Sequence, residues 1–429
     1  MTSQTDPTSL LAHIAKRLSG LLNQLDTPPA TLVVGFSGGV DSTVLLHGIA
    51  DNTSLPVHAV YINHGLSKNA LHWQQHCQQY CQQHNIPFHA IAVDVSDAPR
   101  RSLEAQARDA RYAALTEYCE RQQGALLLGQ HQDDQLETML LALKRGSGPL
   151  GLAAMSEVSF RNRIAVLRPL LTVSRTDIEQ AARHHHLTWI EDESNQDTQF
   201  DRNFLRNDII PLLTNRWPQL GAAAQRSSHL LQEHNAMLNE VVEAHFRQVA
   251  GPNQTLFVNP LMKLDARWQR AVCRYWLASN SRAMPSQAQL GEMLRSMQAK
   301  EDAQPVVQIG QYSVRRYGNA LYICEALPEA SPTDLVPGQW VQLPWWNTPL
   351  WVDGPGTWQA VPLTVLPKVY CAKRNISKAS RKWLKEWQVP PWERNNVPAV
   401  LNAGEPVAVI LKETIVELQF DISEKVKVR

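Results

Sequence analysis

The chain is predicted to be an α/β protein: a doubly wound parallel sheet at the N-terminus, then two smaller domains, the first helical or α+β and the second β-rich. Three observations carry this. Short apolar runs alternate with helix-length amphipathic stretches from Thr31 to Lys144, the pattern of a parallel sheet covered on both faces. The polar, glycine-bearing motifs fall directly after those runs, at the strand ends where such sheets bind ligands. The alternation then stops near residue 217 of a 429-residue chain, which is long for a single core.

The first 30 residues predict a packing helix over Leu10–Leu25, ended by Thr27-Pro28-Pro29. Leu32, Val33 and Val34 form a buried strand, and Val44, Leu45, Leu46 and Ile49 have the spacing of a helix packed back on it. Between them lies Ser37-Gly38-Gly39-Val40-Asp41-Ser42. Two glycines let the backbone turn tightly, so that several N–H groups and a helix N-terminus face one concave surface suited to a polyphosphate. No lysine follows the last glycine, so this is not a Walker loop. It looks instead like the loop of ATP pyrophosphatases, which split ATP between the α and β phosphates.

The alternation continues with strand Val57–Asn63, helix Ala70–His84, strand Phe88–Val95, helix Ser102–Arg121, strand Ala125–Gln130 and helix Asp133–Lys144. The second strand ends at Asn63-His64-Gly65-Leu66, where main-chain groups can read an adenine edge and His64 is a nucleotide contact or a structural residue. Arg108 and Arg111 share a helix face, either to grip phosphate and a charged transition state or as solvated arginines. Asp133 and Asp134 open a helix, where carboxylates are favoured as caps. Yet Asp134 and Glu137 lie on one face near His131, a concentration of charge that a cation would relieve. Magnesium and an amino acid bearing an ammonium group are the candidates. Lys144-Arg145-Gly146-Ser147-Gly148-Pro149 ends that helix in a loop able to close on phosphate or face RNA. A further helix, Arg175–His186, ends in three histidines read as an exposed tip. Arg202 and Arg206 then repeat the two-arginine spacing, with Asn203 between them.

Bulk properties narrow the class. Hydrophobic content of 44% with mixed charge describes a globular protein, and a net charge of +1 requires any nucleic-acid contact to be local. No apolar run approaches the roughly 20 residues of a membrane span, and no signal pattern opens the chain, so a cytoplasmic location is expected. The six cysteines are dispersed and form no CxxC pair; Cys77 and Cys81 read as a metal pair or as two half-buried thiols.

Taken together, SGGVDS, NHGLS, ARDARY, HQDDQLET, KRGSGPLGL, LRPLL, EDESNQD and DRNFLR followed by Pro211-Leu212-Leu213 resemble the bacterial tRNA(Ile)-lysidine synthetases over the first 215 residues. The resemblance implies a PP-loop, adenine nucleotide α-hydrolase-like domain using ATP and Mg2+. It implies adenylation of C2 of the wobble cytidine in a CAU-anticodon isoleucine tRNA, attack by free L-lysine to give lysidine, and a change of codon from AUG to AUA. It assigns Ser37, Gly38, Gly39, Val40, Asp41, Ser42 and His64 to the nucleotide, Asp41 also to the metal, and His131, Asp134 and Glu137 to the lysine. Arg108, Arg111 and Arg206 fall to the transition state or the target nucleotide, and Arg202 to the RNA. A homodimer is the candidate assembly. A tRNA cytidine thiolase or another amidating ATP pyrophosphatase is the alternative, disfavoured by the missing CxxC.

The expected division is a catalytic domain at 1–217, a helical or α+β tRNA-contacting domain at 218–328, a linker at 329–352 and a basic tRNA-binding domain at 353–429. Helical spacing covers Gln225–Val249, Trp268–Leu277 and Gln289–Met297, and a hairpin follows near Tyr317-Gly318-Asn319. In the last segment Lys373, Arg374, Lys378, Arg381 and Lys382 cluster with Tyr370, Trp383 and Trp387, which predicts a cationic surface with stacking partners for RNA.

Overall fold

A computed structural model of the chain describes residues 7–65, 67–94, 103–280, 283–299, 305–325, 328–374, 376–411, 414–419, 422 and 424–428. Leu66, Val95, Ser102 and the side chains of Leu103–Ala105, Ser194, Asn195 and Lys373, which the sequence reading invoked, lie outside the described residues. The chain divides into two compact units, Met1–Leu238 and Asn239–Arg429.

The first unit is built on a six-stranded sheet. Its elements are α1 (Pro7–Leu22), β1 (Thr31–Gly35), α2 (Val40–Ala50), β2 (Val57–Asn63), α3 (Ala70–Gln83), β3 (Phe88–Ala92), α4 (Leu103–Arg121), β4 (Gly124–Leu127) and α5 (Gln132–Lys144). Then come α6 (Pro149–Leu152), β5 (Val158–Arg161), β6 (Ile164–Leu167) and α7 (Arg175–His184). The spatial order β3-β2-β1-β4-β6-β5 is parallel except at its edge, where β5 runs antiparallel to β6. The parallel sheet is the one expected, and this edge hairpin is an addition that the sequence reading did not place. Its turn, Asn162-Arg163, takes two left-handed residues, a geometry whose usual sequence signal is Asn-Gly and which Asn-Arg conceals.

Alternate residues of each strand feed opposite faces. Leu32 and Val34 join Ile14, Leu45, Tyr80 and Ile178 on the face covered by α1, α2, α3 and α7. Val33, Val60, Leu126 and Val166 join Tyr112, Leu115 and Cys119 of α4 on the other. Packing is tight where α1 crosses α2, since a Cβ on Gly48 would stand 3.1 Å from Ile14. Strand order reverses between β1 and β4, so the crevice at their carboxyl ends is the place for a ligand.

After α7 the chain forms α8 (Asp201–Phe204), a π-helical turn at Leu205–Ile209, α9 (Ile210–Arg216) and the long α10 (Leu220–Val249). Pro211 has no N–H to return to Asn207, so the helical ladder is interrupted and the turn before it widens.

The second unit holds two cores. Helices Ala266–Ser279 and Gln287–Ser296 cover a four-stranded sheet in which strands 306–309, 312–317 and 320–325 form an antiparallel meander, the α+β arrangement expected. Its second hairpin turns through Gly318 at φ 55°. The other core lies around a five-stranded sheet ordered 333–335, 358–362, 398–402, 405–411 and 414–417. The segment read as a linker is part of this fold. It supplies strands at 333–335, 340–341 and 350–352 and buries Leu343, Trp345 and Trp346, whose apolar area outweighs the loop signal of the surrounding prolines. Among the described residues no helix is long and apolar enough to cross a membrane.

Candidate active site

The loop after β1 makes the floor of the crevice. Gly38 adopts φ +80°, and a Cβ there would lie 2.5 Å from Ile190 Cδ1 and 2.8 Å from Cys77 Sγ. The Gly38 carbonyl accepts the Ile190 amide at 2.8 Å, which ties the loop to the chain after α7. Gly39 is the N-cap of α2 without a side-chain cap, and a Cβ on it would meet only Ser37 Oγ at 3.5 Å. Its outer face is therefore open, as a phosphate approaching the backbone requires. Ser42 Oγ donates to the Gly39 carbonyl at 3.0 Å and lies 3.2 Å from Ser37 Oγ, so both hydroxyls line one turn. Gly129, just beyond β4, lies so close that a Cβ would stand 2.9 Å from the Asp41 carbonyl carbon.

The chain then returns through His131, which caps α5. Asp133 N–H donates to His131 Nδ1 at 3.3 Å, and the His131 amide donates to Asp134 Oδ2 at 3.1 Å. The imidazole is 2% exposed, with Nε2 at 3.6 Å from Asp41 Oδ1 and 3.5 Å from Asp134 Oδ2. Burial opposes its protonation, but the Asp134, Asp133 and Asp41 carboxylates outweigh burial and hold its pKa at about 9. The capping bond uses an unprotonated Nδ1, so protonation of this imidazole would come at the expense of that bond, which is long at 3.3 Å.

The concentration of carboxylates read from HQDDQLET is present, and its relief comes from the chain itself. Arg206, on the widened turn, donates from Nε to Glu137 Oε1 at 2.6 Å and from Nη2 to Asp134 Oδ1 at 2.9 Å. Arg202 Nε stands 3.3 Å from Glu137 Oε2, and Glu137 is 0% exposed. Burial raises the Glu137 carboxyl's pKa, against the opposing pull of Arg206 and Arg202. Glu137 is thus already engaged by two guanidinium groups, so the relief that the charge called for comes from arginines of the chain.

Asp41 has a partner that sequence reasoning missed. Arg175 Nη1 donates to Asp41 Oδ2 at 2.6 Å, and the Arg175 amide donates to Asp133 Oδ2 at 2.8 Å. A signal existed: an arginine in the first turn of a helix opposes the macrodipole and calls for a compensating anion. Burial raises the Asp41 carboxyl, against His131 and Arg175. Its Oδ1 is buried with no hydrogen bond, His131 Nε2 standing off at 3.6 Å, so it keeps room for one bond to a cation. Among the described residues no three His, Cys, Asp or Glu side chains converge as a metal cage, so a magnesium ion here would take its other ligands from phosphate and water.

Arg108 and Arg111 lie on α4 about Tyr112, with guanidinium carbons 5.8 and 5.9 Å from its ring; Arg161 from the hairpin stacks closer, at 4.3 Å. His64 Nδ1 is buried without a partner just past the end of β2, and burial and then Arg111 lower its pKa. Gln135, also unforeseen, faces away from the acids. Its amide nitrogen donates to the Met155 carbonyl at 2.6 Å and to Ser228 Oγ at 3.1 Å, while its oxygen accepts the Met155 amide at 2.9 Å.

Cys77 and Cys81 are fully buried rather than half-buried, and burial pushes both thiols up to about 12, as it does Cys119. None is poised for the sulfur chemistry of a thiolase. The histidine tip at His184-His185-His186 is exposed at His184 and His186. In the basic C-terminal stretch, Arg374 and Lys378 both pair with Glu386, while Arg381 and Lys382 are exposed. Trp383 is entirely buried, donating its indole N–H to the Val369 carbonyl at 3.1 Å, so it cannot stack on a base; Tyr370 is exposed and can.

A glycine turn feeding an uncapped helix at the switch point of a parallel sheet defines a nucleotide-binding α/β protein, and residues 10–213 match the family model described as the PP-loop domain. Residues 256–322 match the TilS substrate binding domain and residues 367–421 the TilS substrate C-terminal domain. The chain is 39% identical over 419 residues to a tRNA(Ile)-lysidine synthase of Vibrio vulnificus (strain CMCP6), covering 91% of this chain and 94% of the relative. It is 36% identical to that of Pectobacterium atrosepticum (89% and 90% covered) and 37% identical to that of Proteus mirabilis (88% and 90% covered). The chain belongs to the tRNA(Ile)-lysidine synthase family.

Proposed function

We propose that the chain joins free L-lysine to C2 of the wobble cytidine of a CAU-anticodon tRNA(Ile), splitting ATP to AMP and pyrophosphate. The observation that carries this reading is the family relationship, which runs through 91% of the chain at 39% identity and so includes the C-terminal segments as well as the ATP loop. The product, lysidine, moves decoding from AUG to AUA. Adenylation is chemically necessary because an amide-like oxygen leaves poorly until it carries a phosphoryl group.

In this reading Ser37, Gly38, Gly39, Val40 and Ser42 cradle the phosphates through backbone N–H groups and hydroxyls, and His64 contacts the nucleoside. Asp41 would hold Mg2+, which would supply charge neutralisation at the pyrophosphate leaving group. Arg206, held by Glu137 and Asp134, together with Arg108 and Arg111, faces the charge that develops during adenylation. Asp134 and His131 lie beside the incoming lysine, where a carboxylate can hold an ammonium group or accept the proton of the attacking amine. Glu137 acts through the arginines it positions. Arg202, Arg374, Lys378, Arg381 and Lys382 contact RNA phosphates, as does Lys373 in the same run. A homodimer in the cytoplasm completes the proposal.

The test is incubation with ATP, radiolabelled lysine and total bacterial tRNA, omitting each in turn. Label should enter tRNA only when all three are present, with one AMP formed per lysine. Incorporation that survives without ATP would overturn the reading.

A further inference from the structure

The second unit contains a cavity of about 230 Å³ between its two cores, lined by Phe257 and Tyr322 from one and by Trp346, Trp387, Gln388 and Glu393 from the other. We infer that it receives one unpaired base of the tRNA, swung out of its stack, at a position remote from the anticodon. This rests on the proposed reaction, which makes a folded tRNA the substrate.

Its size selects a single ring system, since drug-sized ligand pockets begin near 300 Å³. Its walls are aromatic, and aromatic faces are what proteins offer to unstacked bases regardless of sequence. A polar group is also left over. Trp346 is 6% exposed and its indole N–H is buried without an acceptor, although it lines the cavity. Every base edge carries ring nitrogen or carbonyl acceptors that such a donor can meet. A cation stands close by: Tyr322 packs on Trp392 at 5.6 Å, and the Arg315 guanidinium lies 5.4 Å from the Trp392 ring, where a sugar–phosphate chain leaving the cavity would find it. The cavity has no glycine nest for a triphosphate. Its walls come from both matched C-terminal family segments and, at Trp346, from the chain between them, which gives the junction a purpose.

The test is a cycle between protein and RNA. Full-length protein is titrated with CAU-anticodon tRNA(Ile) transcripts in which the unpaired nucleotides of the D, T and variable loops and the 3′ end are made abasic one at a time. Wild type is compared with Trp346→Phe, which keeps a ring and loses the N–H, and with Phe257→Ala, at a wall residue 36% exposed and therefore replaceable without unfolding. One abasic position should weaken wild-type binding by about tenfold and weaken the variants no further, as expected for a single base–aromatic contact. Variants that bind every transcript as wild type does, or losses that multiply instead of overlapping, overturn the inference. Lysine incorporation by the same wild-type preparation keeps the two claims apart. Binding without incorporation would sink the proposed reaction while the binding cycle still judges the cavity.

Discussion

Arg175 holds Asp41 across the crevice at 2.6 Å, joining the first turn of α7 to the nucleotide loop while the other Asp41 oxygen makes no hydrogen bond. A cation that needs Asp41 competes with this guanidinium for it. In Arg175→Met the competition disappears, whereas the backbone bond from residue 175 to Asp133 remains. The Mg2+ concentration giving half-maximal pyrophosphate release should fall several-fold, and a magnesium titration of pyrophosphate release reads it. An unchanged midpoint would mean that the pair persists in the working enzyme.

Two adjacent glycines should fail in different ways. At Gly38 both the positive φ and the Ile190 and Cys77 contacts forbid a side chain, so Gly38→Ala should lower the melting temperature and abolish ATP binding together. Gly39 has an ordinary φ of −70° and open space, so Gly39→Ala should melt like wild type yet bind ATP at least tenfold more weakly. Calorimetry of the two variants with and without ATP separates the effects.

Glu137→Ala leaves a buried hole beside Arg202 and Arg206, the latter still held by Asp134. Breaking a fully buried ion pair from one side costs about 3–5 kcal/mol; with both guanidiniums partly exposed, this variant should lose less than that in urea, yet still unfold measurably earlier than wild type. Arg206→Lys removes the forked geometry but keeps a charge; it should unfold near the wild-type midpoint while lysine incorporation falls about 10–100-fold, the scale of one charge-assisted hydrogen bond.

His47 on α2 lies 5.5 Å from the His84 ring and 5.8 Å from the His185 ring, with its Nδ1 at 3.3 Å from Tyr80 Oη. Burial, and then His84 and His185, lower its pKa; Asp51 works the other way. With the folded value below the unfolded one, the unfolded chain binds more protons, so stability falls as pH drops through and below about 6.5. Wild type should lose more melting temperature than His47→Gln between about pH 7.5 and about pH 5.5. Equal losses would remove His47 from the cause.

Arg381 and Lys382 are exposed, while Arg374 and Lys378 are neutralised by Glu386. Charge reversal at the first two should weaken tRNA binding and flatten its dependence on log salt by roughly one per residue. Glu386→Gln should do the opposite by releasing two cations. Filter binding across a salt series measures both, and salt slopes that do not move would make the basic surface irrelevant to RNA.

Much of this was legible in the sequence, because periodicity reports burial directly. The strand Val57–Asn63 and the start of the helix at Ala70 fall where the apolar spacing places them. The nucleotide loop was equally clear, since its glycines have no other economical use. What stayed hidden depends on partners distant in the chain. Arg175 is 134 residues from Asp41, and nothing local distinguishes it from a surface arginine except its uncomfortable place in the helix dipole. Trp383 looks like part of an RNA-facing surface in one dimension, yet packing buries it, and Glu386 pairs with two of the cations. The stretch around Trp345 was misleading for a related reason: prolines argued for a connector, while the tryptophans that build a core there follow no period.

Gln135 lies between Asp134 and Glu137 on α5, and its amide meets the Met155 main chain through both its nitrogen and its oxygen. That pair of bonds works as a torsional key. Turning α5 about its axis would swing the acids out of the crevice, but it would also strand both polar ends of the Gln135 amide in a dry interior, where each lost bond costs about 1–3 kcal/mol. The angular setting of the acidic face is therefore fixed from behind, by a neutral, buried side chain.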